Sequence, residues 1–479
     1  MVYWFILVST WMLIGSPIEA ANYYYISTTG NDGNAGTEAS PWRNPWTVST
    51  RTFSPGDTIY VKVGTYTLTV QAWTGYNCST VRITSSGTSG NPITIRNYPG
   101  DTVTFDVGAT GANEAQEWPG IGSCGNVDWQ VWDGFAIINA GSRGTRFEGD
   151  NLIVQNMTIS QAGATCPTCA CANNVNGLRI DDSTNITVKN NTIFNWHGNS
   201  SSDNNCTAIT AYDSTGLVFE HNDIYNTNVA IYFKGVGSSP VHQNHTVRYN
   251  YIHDLSMYAF RPAGGDGDQT VNLDFHNNIL VNMTSAIEPK DAGVLTDNQD
   301  FYNNTITGYT SYCFRGPGVG SVGWKYYNNL CYRSGSATYD VYTRENSNCS
   351  GASPITSVGN YNFFYRTTGF RYYYGLSGCA ADYSSLASWK AAAQGLDQQS
   401  LSGSDPLFVG PLTSAVGFKL QAGSPAKAVG RVGGVGGGAV VDMGAYEVGT
   451  QCIGLESACQ ASQGQGVSGV RGMMRGGRR

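Results

Sequence analysis

ITVKNNTI at residues 186–193 is the first of six similar phrases; the others are LVFEHNDI (217–224), HTVRYNYI (245–252), LDFHNNIL (273–280), QDFYNNTI (299–306) and WKYYNNL (324–330). We assign one asparagine of each phrase to a single column: Asn191, Asn222, Asn250, Asn277, Asn304 and Asn328. The steps between these asparagines are 31, 28, 27, 27 and 24 residues. A near-constant period of this size indicates a solenoid, in which each repeat buries its apolar side only by stacking on its neighbours.

Each repeat has the composition of short β-strands. β-Branched and aromatic residues alternate with polar ones, and no repeat carries the period of a helix. Stacked coils of short parallel strands make a right-handed β-helix. We therefore predict an all-β chain that forms a single right-handed parallel β-helix, with loop excursions and a disordered C-terminal tail. An Asn at one corner of every coil would bond through its side-chain amide to the coils above and below.

Length and composition suit one elongated domain. At 479 residues the chain exceeds the size of a single globular core, but a solenoid grows along one axis. We therefore predict a β-helix domain over residues 21–448 and a Gly/Ser/Gln-rich basic tail over 449–479. The net charge of −7 argues against a nucleic-acid partner, which needs a basic face. A local basic cluster would still permit an anionic substrate.

The N-terminus predicts secretion. Residues 3–15, YWFILVSTWMLIG, are apolar, and small residues follow near Ala20. A run of this length is typical of a signal peptide, here residues 1–20, rather than of a membrane span. No other stretch predicts a transmembrane segment, so we expect a secreted protein in the extracellular space or at the cell surface.

Twelve cysteines in a secreted chain favour disulfides. Cys313 and Cys331 lie less than one repeat apart and could bridge, and two further local pairs are plausible, Cys349–Cys379 and Cys452–Cys459. The CPTCAC run at 166–171 could instead hold a metal, but no His lies within ligand spacing.

Two N-terminal stretches carry a family resemblance: YYYISTTGNDGNAGTEASPW (23–42) and SPGDTIYVKVGTYTL (54–68). Together they resemble the opening of secreted right-handed β-helix proteins of the pectate-lyase-like superfamily. AGSPAKAVG (422–430) and VVDMGAYE (440–447) resemble the closing segment of the same proteins. The resemblance implies the fold more strongly than an activity, because the superfamily includes lyases, hydrolases, epimerases and proteins with no known catalysis.

The strand before each Asn phrase carries the candidate functional residues. Alternate residues of a strand face opposite ways, and parallel stacking repeats each column from coil to coil. One outward column is predicted to hold Arg179, Thr210, Tyr232, Arg261, Glu288 and Arg315. The next outward column would hold Asp181, Tyr212, Lys234, Ala263, Lys290 and Pro317. The preceding column should face the core: Leu178, Ile209, Ile231, Phe260, Ile287 and Phe314.

A basic strip on one face favours the binding and cleavage of an acidic sugar chain. β-Elimination from a uronate needs its carboxylate neutralised and a base for the C5 proton. Arg261 and Arg315, on either side of Glu288, suit carboxylate recognition. Lys290 or Lys234 could be the base, since crowding among arginines disfavours the protonated amine.

Further residues complete the predicted site. Tyr232 or Tyr212 could stack on sugar or relay a proton, and Arg179 extends the basic strip. An Arg one coil from a Lys is similar to the arrangement in chondroitinase-B-like and alginate lyases, and that resemblance implies Lys290 as base with Arg315 beside it. Those enzymes also hold calcium through acidic and amide side chains. Here only Glu288 is placed as in those enzymes. The acids at coil corners, Asp181, Asp182 and Asp213, could also supply Ca²⁺ ligands, although acids at such positions are more often turn residues.

Two other functions compete with a lyase. A hydrolase would want two carboxylates about 5–9.5 Å apart, for which only Glu288 with Asp291 or Asp181 is available. A non-catalytic surface or matrix protein, self-associating or fibre-forming, would use the rod as a scaffold, with the Arg and Glu side chains forming ion pairs between coils.

Two irregular stretches, Gly108–Gly125 and Ser336–Gln399, could cover the basic face. A short helix is predicted within Ser384–Gln394, where it would shield the last coil's edge.

Overall fold

The computed structural model describes most of the chain from residue 21 to residue 455. The described residues are 21–69, 79–108, 120–161, 171, 174–197, 200, 202, 204–235, 241–262, 269–289, 295–316, 323–335, 338–343, 358–366, 372–374, 381–392, 396–434, 439–446 and 452–455. The predicted signal peptide and nearly all of the predicted tail lie outside them.

Parallel strands, each contributed by a successive coil, stack into a long first sheet. Its twelve strands in spatial order follow the chain: Tyr23–Ile26, Thr58–Val61, Ile93–Asn97, Gln130–Asp133, Ile153–Gln155, Thr187–Lys189, Val218–Glu220, Val241–Arg248, Gln269–His276, Leu295–Tyr302, Lys325–Tyr327 and Val358–Asn360. Sequential order without reversal means that the chain returns to the same sheet once per coil.

The remaining faces of each coil make a second sheet. Its strands are Gly64–Thr67, Val81–Ile83, Val103–Asp106, Ile121–Ser123, Phe135–Ala140, Arg143–Glu148, Thr158–Gln161, Asn176–Asp181, Thr192–Phe194, Thr207–Tyr212, Asp223–Lys234, Tyr251–Arg261, Ile279–Ile287, Thr305–Arg315, Leu330–Arg333, Tyr339–Thr343, Phe363–Arg366, Tyr372–Tyr374, Ala381–Tyr383 and Leu401–Ser402. From Asp223 to Arg315 one long strand per coil supplies two faces, because Thr192–Phe194 and Thr207–Tyr212 both pair with Asp223–Lys234, and Thr305–Arg315 pairs with both Leu330–Arg333 and Tyr339–Thr343. The predicted parallel β-helix is confirmed.

Short elements complete the described architecture. An antiparallel pair joins Gly430–Arg431 to Val440–Val441. The described helices are one α-helix, Leu386–Ala392, and three 3₁₀ turns, Pro45–Thr50, Ala415–Phe418 and Val432–Gly434. Within the described residues, no helix is both long and apolar enough to cross a membrane.

The interior is a continuous apolar stack. The six residues predicted to face it are all buried, five at 0% exposure and one at 3%: Leu178, Ile209, Ile231, Phe260, Ile287 and Phe314. Aromatic contacts link successive coils, as in Phe260 with Phe275 at 4.9 Å between ring centroids. Each coil therefore buries its apolar side against its neighbours, as the repeat period predicts.

The Asn ladder is present, but two of its predicted members are wrong. The asparagines that bond from coil to coil are Asn191, Asn222, Asn250, Asn278, Asn304, Asn329 and Asn362. Each Oδ1 from Asn222 onward accepts the backbone N–H of the preceding ladder Asn at 3.0 Å. The ladder thus satisfies buried corner backbone along the rod.

Asn277 and Asn328 occupy the corner position just before the ladder. Their φ angles are 53° and 56°, in the left-handed region, which Asn tolerates better than most residues. Both therefore serve the turn, and their side chains bond a later segment of the chain: Asn277 donates to the carbonyl of Ala445 and Asn328 to that of Arg431, each at 2.8 Å.

The C-terminal part of the chain departs from the predicted irregularity. Within Ser336–Gln399, four described strands continue the parallel stack: Tyr339–Thr343, Val358–Asn360, Phe363–Arg366 and Tyr372–Tyr374. The predicted helix is confirmed as Leu386–Ala392, and its Trp389 stacks on Tyr372 at 3.5 Å between ring centroids. This helix therefore packs on the last coil.

Two disulfides connect described cysteines. Cys313–Cys331 is confirmed, and Cys171 pairs with Cys206 across 35 residues, so this cysteine of the CPTCAC run is not available to a metal. Cys349, Cys379 and Cys459 lie outside the described residues.

Candidate functional site

The predicted outward column exists. Strand register places Arg146, Arg179, Thr210, Tyr232 and Arg261 on successive coils. In the next strands Phe260 pairs with Ile287, and Ile287 pairs with Phe314. Glu288 and Arg315, which directly follow Ile287 and Phe314, therefore continue the column beyond Arg261. Asp181, Tyr212 and Lys234 form the adjoining column. Lys290, Ala263 and Pro317 lie outside the described residues.

The column is more buried than the sequence predicts. Thr210 and Tyr232 are 1% exposed, Arg261 is 2% exposed and Glu288 is 7% exposed. Lys234 and Arg315 keep intermediate exposure. The basic strip therefore lies on one flank, as expected, but only parts of it meet solvent.

The first part of the strip is an ion-pair network. Asp181 accepts hydrogen bonds from Arg146 Nε at 2.5 Å and from Arg179 Nε at 2.8 Å, and Arg146 also contacts Glu148 at 3.0 Å. Both oxygens of Asp181 receive guanidinium N–H groups. Arg146 thus ties adjacent coils together through Asp181, whereas Arg179 pairs with an acid of its own strand. Ion pairing between coils is the structural role that competed with substrate binding.

Lys234 lies at the centre of the strip, at the end of strand Asp223–Lys234. Its Nζ donates to the Oδ1 atoms of Asn174 at 2.5 Å and Asn205 at 3.0 Å. It also lies 5.9 Å from the ring centroid of Tyr212 and 5.8 Å from that of Tyr232. Two amides and two aromatic rings therefore fix the position of the amine.

Arg261 lies one coil beyond Tyr232. Its guanidinium carbon is 5.2 Å from the Tyr232 ring centroid and 4.7 Å from that of Tyr258. Contacts of this kind are worth about 0.5–2 kcal/mol each. Its Nε and Nη1 are buried and have no hydrogen-bond partner among the described residues. The same is true of Ser285 Oγ, on the next coil opposite Tyr258.

The last part of the strip is the Glu288–Arg315 ion pair. Only half of the predicted Arg–Glu–Arg ladder forms within the described residues, because Glu288 pairs with Arg315 and not with Arg261. Burial raises the pKa of Tyr258, and the Glu288 carboxylate adds to this, while the guanidinium groups of Arg261 and Arg315 oppose it. Tyr258 therefore stays a neutral hydroxyl beside these charges.

The described residues do not fit a calcium site. Asp181 is occupied by two guanidinium groups, whereas Asp182 and Asp213 occupy left-handed corner positions with φ of 45° and 43°. Across the described parts of the chain, no group of three or more His, Cys, Asp or Glu side chains could hold a metal ion. No calcium-dependent step follows from these side chains.

A separate cavity of about 450 Å³ lies between the second sheet and the returning C-terminal segment. One wall contains His253, which contacts Asp223 at 3.1 Å and Asp254 at 2.8 Å. Burial lowers the pKa of His253, but hydrogen bonds to the two carboxylates, with their charges, outweigh this and raise it. The histidine thus joins neighbouring coils through its contact with Asp223. Sequence reasoning assigned it no role.

Four residues of the site have no signal in the repeat pattern. Asn174 and Asn205 lie just before strands, in the segments that connect one coil to the next, where no period holds. Tyr258 and Ser285 lie in a strand column that also holds Asn176, Thr207 and Val229, so residue type gives no clue to function.

Comparison with known proteins agrees with this architecture. A family model described as Pel9A-like, right handed beta helix region, matches residues 24–211. The fold is a pectate-lyase-like right-handed β-helix. The structure of pectate lyase Pel9A is similar over 90% of this chain and 97% of its own, with a TM-score of 0.50 and 17% identity, which supports the fold alone.

Curated relatives match shorter stretches. Uncharacterized protein YwoF of Bacillus subtilis is 33% identical over 100 residues, 21% of this chain and 19% of that protein. Pectate lyase PEL9 of Emericella nidulans is 34% identical over 90 residues, 19% of this chain and 20% of that protein. This chain thus spans about a fifth of the length of the curated relatives that it matches.

Proposed function

We propose that the protein is a secreted polysaccharide lyase that cleaves a uronate-containing glycan by β-elimination, with Lys234 as the base. The position of Lys234 carries this proposal. The residue is partly exposed, its amine is held by Asn174 and Asn205, and it lies in a strip that also contains Arg261. The similarity of one stretch to a pectate lyase supports the same substrate class.

The proposed reaction needs few groups. Lys234 Nζ, in its neutral form, takes the C5 proton of the uronate, the C5–H electron pair forms the C4–C5 double bond, and the C4–O bond breaks. The leaving oxygen takes a proton from solvent. A neutral amine could keep both hydrogen bonds to the amide oxygens, because it has two N–H donors. The guanidinium groups of the strip stabilise the negative charge that develops on the carboxylate.

The contacts of the predicted residues determine which role each of them could have towards the substrate. Arg261 is the candidate for carboxylate binding, whereas Arg179 and Arg315 already pair with Asp181 and Glu288. Tyr212 and Tyr232 are 4% and 1% exposed, which suits ring contacts with the cations better than stacking on sugar. Lys290 remains a predicted alternative base outside the described residues.

A hydrolase has less support. It would need two carboxylates free to act as acid and as base or nucleophile. Glu288 pairs with Arg315, and Asp181 pairs with two arginines. Among the described residues, the predicted carboxylates are therefore committed to ion pairs.

The burial of the strip favours a second candidate, a non-catalytic extracellular scaffold. In that case the Arg146–Asp181–Arg179 network and the buried tyrosines only join coils. Incubation with pectate, alginate and glycosaminoglycans separates the two functions. A lyase gives a product with the ultraviolet absorbance of an unsaturated uronate. A scaffold gives no product, and a hydrolase gives new reducing ends without that absorbance.

A further inference from the structure

The cavity beside His253 has the dimensions of a ligand site. Its volume is about 450 Å³, and small-molecule sites in proteins typically have volumes of about 300–1,000 Å³. Three of the residues that line it are exposed, Thr413, Ser414 and Val416, so the cavity opens to solvent. A small molecule can therefore enter it without a change in the fold.

The wall formed by the second sheet presents polar groups that the protein does not use. Tyr251 lines the cavity and is 8% exposed, yet its hydroxyl has no hydrogen-bond partner among the described residues. The same is true of the hydroxyl of Tyr225, on the preceding coil. Asp223 bonds His253 through Oδ1 at 3.1 Å, whereas its Oδ2 accepts no hydrogen bond within the described part of the chain. Two hydroxyls and a carboxylate oxygen are thus available to a molecule in the cavity.

Ring stacking holds the two tyrosines in place. The imidazole of His253 stacks on Tyr225 at 5.0 Å and on Tyr251 at 4.3 Å between ring centroids. His253 is itself held by Asp223 and by Asp254, at 3.1 Å and 2.8 Å. The hydroxyls therefore need little ordering when a ligand binds, which favours affinity.

The charge at the cavity disfavours an acidic ligand. Asp223 and Asp254 both contact His253, so this group keeps negative charge whether or not the imidazole is protonated. Burial, with the charges of Asp223 and Asp254, raises the pKa of Tyr251 to about 12, so its hydroxyl is neutral and can donate. A carboxylate would be repelled by the two acids, whereas uncharged hydroxyls can donate to Asp223 and accept from the tyrosines.

The wall formed by the C-terminal segment is mostly apolar. Ala415 and Ile453 belong to an apolar cluster with Tyr251, and Val416 and Leu455 also line the cavity. A ligand that fits both walls needs hydroxyl groups on one side and C–H surface on the other. A sugar ring has this character, whereas an inorganic ion or a purely apolar molecule does not.

We propose that this cavity binds a neutral sugar unit, as a second glycan site separate from the basic strip. One strand contributes to both sites, because Asp223 and Tyr225 line the cavity near its start and Lys234 lies at its end. Between them Asn226, with a φ of 50°, lies at the turn from one face of the coil to the next. The second site does not depend on the proposed lyase reaction, since a neutral sugar has no carboxylate to support β-elimination.

Calorimetric titration of the full-length protein tests the site. The neutral probes are galactotriose, arabinotriose, xylotriose and cellotriose, and trigalacturonate and triglucosamine are the acidic and cationic comparisons. We expect at least one neutral trisaccharide to bind. Val416→Trp adds bulk at the exposed edge of the cavity and should weaken that binding at least about tenfold. Tyr225→Phe and Tyr251→Phe each remove one hydroxyl and should weaken it by about 3- to 10-fold.

Matched variants exclude a general effect of these substitutions. Val409 belongs to the same C-terminal segment, is 56% exposed and does not line the cavity, so Val409→Trp should leave the affinity unchanged. Tyr332 occupies the strand column of Tyr225 four coils further along and lies outside the cavity, so Tyr332→Phe should also have no effect. Lys234→Gln changes only the basic strip and should leave neutral binding intact.

The outcomes separate this site from the lyase. Neutral binding that Val416→Trp weakens and Val409→Trp does not supports the site, even in a protein that forms no unsaturated uronate. The site is overturned if no neutral trisaccharide binds, or if Val416→Trp or both Tyr→Phe variants leave the affinity unchanged. Binding that depends on Val416 but is confined to trigalacturonate or triglucosamine also contradicts it.

Discussion

Removing one rung of the Asn ladder should destabilise the whole rod. In Asn250→Ala, the side chain that bonds three coils is lost. Its Nδ2 donates to Phe219 O at 2.9 Å and to Asn278 Oδ1 at 3.0 Å, and its Oδ1 accepts from both nitrogens of Asn222 at 3.0 Å. The backbone N–H of Asn222 then loses its partner within the buried stack.

The magnitude follows from the number of buried groups affected. Leaving one buried polar group unsatisfied costs about 1–3 kcal/mol, and here at least one is fully orphaned while others lose one of several bonds. We therefore expect a loss of about 2–5 kcal/mol in the free energy of unfolding. Equilibrium denaturation in guanidinium chloride, followed by circular dichroism, measures it.

Asn272→Gly is the matched control. Asn272 belongs to an exposed row of asparagines, where its Nδ2 donates to Asn244 Oδ1 at 3.0 Å, and its φ of 57° suits glycine. This change should shift stability by less than about 1 kcal/mol. Equal effects of the two substitutions would refute the claim that the buried ladder stabilises the coils.

Three further predictions concern other contacts. The folded-state pKa of His253 is raised, so the stability that its ion pairs contribute is fully present below pH 6.5 and is lost as pH rises through the raised pKa. The difference in the free energy of unfolding between wild type and His253→Gln should therefore shrink from pH 6 to pH 9. A constant difference would count against the ion pairs. Replacing Cys313 and Cys331 together by Ser opens a bridge spanning 18 residues and should lower the free energy of unfolding by about 3 kcal/mol, measured by denaturation; no change would show that the bridge constrains little. Trp389→Ala removes the stacking on Tyr372 and should cost about 3–5 kcal/mol, with faster hydrogen exchange in the last coils; unchanged exchange there would contradict the capping role of the helix.

The repeat period predicted the fold because each coil uses the same few positions. The column from Arg179 to Arg315 followed from strand alternation alone. The ladder register was missed by one residue at Asn277 and Asn328, where two adjacent asparagines each suit a corner. Counting from the first residue of each phrase places Asn278 and Asn329 sixth, in line with Asn191, Asn222, Asn250 and Asn304, so a strict alignment identifies the ladder register from the sequence.

Side-chain partners were less predictable than columns. Arg179, Arg261 and Arg315 looked equivalent in the sequence, yet Arg179 and Arg315 pair with carboxylates, whereas Arg261 has no such pair within the described part of the chain. Asn174, which holds Lys234, comes from a connecting segment with no period. Such contacts depend on how connections of different length fold back over the strands, and strand alternation carries no information about that.

The central claim, that Lys234 removes a proton from a uronate, is tested most directly by assaying wild-type and Lys234→Gln proteins on pectate and alginate for unsaturated uronate. We expect the wild type to form this product and Lys234→Gln to lose activity by at least about 100-fold, while still binding the free acid. Unsaturated product formed equally well by Lys234→Gln, or reducing ends formed by the wild type without that product, would contradict the account.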